Sequence, residues 1–98
     1  MAEINWTAEA QQWLKDIHDY IAQDKPDAAI KVVEGIYEKA QVLRQFPEIG
    51  YKYERYTDKH IRILLYGHYR IAYLKKTDGN IDILGVFHAA LDIDRYLF

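Results

Sequence analysis

The sequence predicts a small α+β domain of order β-α-α-β-β-β, a helical hairpin packed on a small, twisted, mainly antiparallel sheet. Three observations carry this. Ala10 to Ile21 and Ala29 to Leu43 repeat apolar residues at helical spacing. Ile61 to Tyr66, Tyr69 to Tyr73 and Ile81 to Phe87 are short, rich in branched and aromatic residues, and separated by turn residues. A length of 98 residues, half of them hydrophobic, with a net charge of −2, suits one folded domain over residues 1–98.

Each element follows from its own signals. Glu3-Ile4-Asn5-Trp6 alternates polar and apolar and reads as a first strand. Thr7 suits the N-cap of the first helix, with Glu9 placed where the helix dipole favours an anion. Ala10, Leu14, Ile17 and Ile21 form its apolar stripe, widened by Trp13 and Tyr20, and the helix should end near Gln23. Asp24 or Lys25 caps the second helix, whose first position suits Pro26 because the missing N–H has no partner there. Ala29, Val33, Ile36, Ala40 and Leu43 share its inner face, and Phe46-Pro47 stops it. Periodicity gives each helix roughly eighteen to twenty residues. Pro47 to Gly50 is a turn, and Tyr51 to Asp58 reads as an exposed, basic, tyrosine-rich loop. Gly67-His68 joins the second and third strands, and Asp78-Gly79-Asn80 the third and fourth. Ala89 to Phe98 is a short helix or tail, with Leu91, Tyr96, Leu97 and Phe98 available to pack back.

Several classes of function are excluded. With no cysteine there is no disulfide scaffold, thiolate zinc site or cysteine nucleophile. No apolar run reaches the roughly 18 residues of a membrane span, and the first residues do not resemble a signal peptide, so a cytoplasmic protein is expected. His18, His60 and His68 lack metal-ligand spacing and read as surface residues, and no metal or cofactor is expected.

Charge is unevenly distributed. Residues 1–43 hold four lysines against eight acids, whereas residues 44–76 hold eight Lys/Arg against three acids and six of the nine tyrosines. Cations interleaved with aromatics suit a polyanion or an acidic protein, and Lys52, Arg55, Lys59, Tyr69 and Tyr73 are the binding candidates. A solvated sheet edge with tyrosines at its rim is the structural alternative. A strand cation among apolar neighbours should face away from the core. Arg62, Arg70 and His88 are therefore expected together on one polar sheet surface, suited to phosphate or carboxylate. Arg70 has a structural alternative, pairing with Asp82 on the next strand.

The chain resembles the RelE/ParE toxin superfamily along nearly its whole length. The resemblance rests on Trp6-Thr7-x-x-Ala10, Asp24-x-Pro26-x-Ala28-Ala29, Leu43-x-x-Phe46-Pro47-x-x-Gly50, Tyr69-Arg70-Ile71-x-Tyr73 and Ile83-Leu84-x-Val86-Phe87-His88. It implies the toxic half of a type II toxin–antitoxin pair. Its partner would be a cognate antitoxin that folds on binding, and the complex would reach operator DNA through the antitoxin. RelE-like members are ribosome-dependent ribonucleases that use the RNA's own 2′-hydroxyl, and ParE-like members poison DNA gyrase. For a nuclease the resemblance implies Arg70 against the phosphate, His88 as acid or base, and Tyr96 as a further catalytic group, and Arg62, the one cation of the second strand, would join them. Two departures and one likeness favour the ParE branch. The second strand carries one cation where RelE-like enzymes carry several, and the family's arginine three residues after the terminal-strand histidine is Leu91 here. The long helical hairpin is also ParE-like. An inactive relative that only binds its antitoxin is a third reading.

Overall fold

Strand β1 (Ile4–Trp6) ends at Thr7, which does two jobs. Its hydroxyl donates to the Ile83 carbonyl at 2.7 Å and accepts from the Ala10 N–H at 3.1 Å. The first bond fixes the end of the strand and the second caps helix α1 (Ala8–Ala22). Thr7→Ala should therefore cost about 1–2 kcal/mol, read from urea midpoints. The structure is a computed structural model and describes residues 2–54, 60–89 and 93.

Lys25 is the N-cap of α2 (Pro26–Gln41), with Pro26 in its first turn, and a 3-10 turn (Val42–Arg44) follows. The helices are 15 and 16 residues long, shorter than their periodicity suggests. Apolar residues before and after each one belong to the neighbouring strand or turn. A two-residue strand, β2 (Tyr51–Lys52), pairs with β3 (Ile61–Tyr66), where a loop was expected. β4 (Tyr69–Lys75) and β5 (Ile81–His88) complete a five-stranded sheet of order β1-β5-β4-β3-β2. Among the described strands only β1 runs parallel to its neighbour, β5. Gly67, with φ +57°, opens the two-residue turn between β3 and β4, a conformation that favours glycine. Among the described residues no helix is long and apolar enough to cross a membrane.

Both faces of the sheet are buried. On the helix side Leu64, Ile71, Tyr73, Ile81, Ile83 and Val86 pack with Ala10, Ile36, Ala40 and Leu43. On the other side Ile63, Ala72, Phe87 and Ile93 form a second apolar cluster, against which Tyr53 and Leu84 pack. Trp13 joins the two, its ring edge-on to Phe87 at 4.7 Å. The expectation of one polar sheet surface is therefore overturned, since each face carries an apolar cluster. The strands hold consecutive buried residues, as in Ile71-Ala72-Tyr73, because both faces are covered.

Candidate functional site

The two-residue turn sets the register of β3 against β4, Tyr66 opposite Tyr69, and so places Arg62 opposite Tyr73 and Arg70 opposite Leu65. Opposed residues share a face and alternate residues switch faces. Arg62 thus lies on the helix side with Tyr73, and Arg70 on the other side with Leu65 and, across β5, Phe87. β5 has an extra residue, Leu84, between the partners of Ala72 and Tyr73, and this bulge shifts its alternation by one. His88, opposite Tyr69, then falls on the helix side at the far end of the sheet from Arg62. The single polar surface expected to gather Arg62, Arg70 and His88 does not exist.

Arg62 and Tyr73 act together on the turn before β2. The Arg62 guanidinium donates to the Glu48 carbonyl at 3.0 Å and the Gly50 carbonyl at 2.7 Å. The Tyr73 hydroxyl donates to the Pro47 carbonyl at 2.9 Å and accepts from the Gly50 N–H at 3.0 Å. Lys75 closes the cluster with an ion pair to Glu48 at 2.6 Å. Tyr73 was expected on a binding surface and is instead fully buried.

Burial pushes the Tyr73 hydroxyl pKa up from its ordinary 10.0, and the Gly50 N–H and the Arg62 charge oppose the shift. A raised folded pKa stabilises the fold fully below the unfolded value, and that contribution is lost as pH rises through the folded one. Stability should therefore fall above about pH 10, and less steeply in Tyr73→Phe, as denaturant midpoints between pH 7 and 11.5 would record. Glu48 is shifted the other way, held below the usual carboxylate range by its hydrogen bond to Lys75 and by the charges of Lys75, Arg62 and Lys52.

Arg70 donates to the Ala89 carbonyl at 3.1 Å, while Asp82, its expected acidic partner, bonds Asn5 at 3.2 Å and meets Lys76 at 3.6 Å. Lys52 is exposed on β2, opposite Arg62. Arg55, Lys59, Leu91 and Tyr96 lie outside the described residues.

At the other end of the sheet His88 is exposed, with Tyr69 edge-on at 5.8 Å and His68 nearly parallel to it at 6.2 Å. Burial raises the Tyr69 hydroxyl pKa. The Tyr69 and His88 rings border a groove of about 510 Å³ between α1 and the strand ends, lined also by Trp13, Asp16, Ile17, Tyr20 and Val86. Trp13, Ile17 and Tyr20 recur at three- and four-residue spacing, so they form one edge of α1. The sequence reading placed all three in the core stripe and so missed the groove. Its one available signal was the width of that stripe, too broad for a single buried seam. Tyr20 is 78% exposed. The groove is apolar along its floor, with one carboxylate and one imidazole at its rims, which suits side chains of a protein segment better than a phosphate. Among the described residues no three His, Asp or Glu side chains come together as metal ligands.

Comparison with known proteins agrees with this architecture. The fold matches that of the chromosomal ParDE toxin–antitoxin system from P. aeruginosa with a TM-score of 0.76 and 24% identity, covering 90% of this chain and 96% of that one. No curated protein matches the chain in sequence. The family model of the ParE toxin of type II toxin–antitoxin systems, parDE, matches residues 4–93. The chain therefore belongs to the ParE toxin family of type II toxin–antitoxin systems.

Proposed function

We propose that this toxin inhibits bacterial growth in the cytoplasm by binding and poisoning DNA gyrase, and that a cognate antitoxin neutralises it by seating apolar side chains in the α1 groove. The observation that carries this is the separation of Arg62, Arg70 and His88, the described residues on which a metal-free ribonuclease would draw. Cleavage by the RNA's 2′-hydroxyl needs a base, an acid and a cation around one phosphate. Here Arg62 and Arg70 are on opposite faces, and Arg62 is committed to two backbone carbonyls. The sheet face beside Arg70 is filled by Ile63, Ala72, Phe87 and Ile93. Neutralisation by an antitoxin requires only a shaped surface, and the groove supplies one.

Induced expression without antitoxin tests the reading, with transcripts mapped and a DNA-damage reporter followed over minutes. A damage response with intact mRNA supports gyrase poisoning. Rapid cutting of translated transcripts without that response would replace it with the RelE-like ribonuclease. Normal growth with folded protein present would identify a relative that only binds its antitoxin. Arg70→Ala separates the first two further. It abolishes ribonuclease toxicity and leaves gyrase poisoning in place.

A further inference from the structure

The end of the molecule away from the groove carries a second surface of different character. Phe46 and Ile49, in the turn before β2, are 58% and 54% exposed, although both are large and apolar. They border a shallow depression of about 550 Å³ that also touches Glu48 and Lys75. Exposed apolar side chains are common singly, but two on one turn beside a depression mark a contact site. The turn itself is held in place by Tyr73 and Arg62, so it presents these side chains from a rigid support.

Charge indicates the chemistry of the occupant. Lys75 bonds Glu48 at 2.6 Å, and Lys52 and Arg62 lie close enough to act on the same carboxylate. Three cations thus meet a single acid, leaving local positive charge beside the apolar pair. The helical hairpin is the reverse, since residues 8–41 hold seven acids against four lysines. An arriving carboxylate would find Lys52 and Lys75 beside an apolar seat, and Lys75 could exchange Glu48 for it. Lys75 lies six residues along β4 from Tyr69, about 20 Å at strand rise, so the surface is separable from the groove.

We propose that Phe46 and Ile49, flanked by Lys52 and Lys75, dock an apolar, carboxylate-bearing segment of the protein this toxin inhibits. The proposal rests on the reading of the chain as a binding poison, and names the surface that meets the target. Two variants test it in the full chain, Phe46→Ser with Ile49→Ser, and Lys52→Glu with Lys75→Glu. Phe46, Ile49 and Lys52 are exposed and Lys75 is half-buried at the surface, so both variants should fold, as thermal unfolding would verify. If the apolar pair failed to fold, the lysine pair would carry the test.

The expected result is loss of growth inhibition in both variants, with antitoxin affinity within about threefold of wild type. Undiminished growth inhibition would overturn the proposal. So would loss of antitoxin binding, which would make the antitoxin the occupant. Self-association of the wild type that the serine variant lacks would assign the surface to a second copy, with the same consequence. Gyrase is scored separately, by supercoiling with the wild type. No effect there would sink the gyrase reading, and the growth assay would still decide the docking surface. A wild type that does not inhibit growth would overturn both.

Discussion

Gly50→Ala is expected to destabilise the fold by about 3 kcal/mol, lowering the melting temperature by about 12–24 °C for a domain of this size. A methyl on Gly50 would sit 2.7 Å from the Ile63 carbonyl oxygen and 2.8 Å from the Tyr73 ring and hydroxyl. The first is strand backbone, so it cannot swing aside. Moving Gly50 away instead breaks the Gly50 N–H to Tyr73 bond and strains the Arg62 contacts to Glu48 and Gly50. Left without partners, buried polar groups cost about 1–3 kcal/mol each. Thermal unfolding followed by circular dichroism measures the effect, and a loss below about 1 kcal/mol would show that the turn is loosely held. The same substitution should blunt growth inhibition, because it also displaces Phe46 and Ile49.

Tyr20→Ala should weaken antitoxin binding about thirtyfold, or about 2 kcal/mol, with stability changed by less than about 0.5 kcal/mol. Tyr20 is the most exposed large apolar side chain described, and it overhangs the groove. Such a tyrosine covers an incoming segment with large area and little entropy loss, and hot spots are enriched in this residue type. Calorimetric titration of the full toxin with antitoxin measures it. An unchanged affinity would place the antitoxin elsewhere.

Much of the fold was legible because its signals are local. The Thr7 cap, Pro26 at a helix start, and the glycine turns at Gly67 and Gly79 each act within a few residues. The faces of the sheet were not read correctly, and the reason is instructive. Taking Gly67-His68 as a two-residue loop already pairs Tyr66 with Tyr69, hence Arg62 with Tyr73 and Arg70 with Leu65. Counting that register would have separated the two arginines. The rule that a cation faces away from its apolar neighbours failed because both faces of this sheet are apolar.

His88 was misplaced because the bulge at Leu84 shifts the alternation of β5, and its one local sign, Gly85 inside the strand pattern, was not read as a bulge. β2 was equally hidden. Two residues carry no periodicity, and this strand exists because Tyr51 and Lys52 find an open edge of β3. The groove depends on how α1 sits against β5, a tertiary relation that the helix pattern of Trp13, Ile17 and Tyr20 cannot express. Tyr73 shows the same limit. A tyrosine in a basic stretch looks like a binding residue until its hydroxyl is found inside, joining Pro47 to Gly50.

The most direct test of the central claim is supercoiling by purified DNA gyrase with added toxin, run beside a translating extract in which mRNA is mapped. Inhibited supercoiling that antitoxin reverses, that survives Arg70→Ala, and that comes with intact mRNA is the predicted result. Active gyrase together with mRNA cut on the ribosome would contradict it.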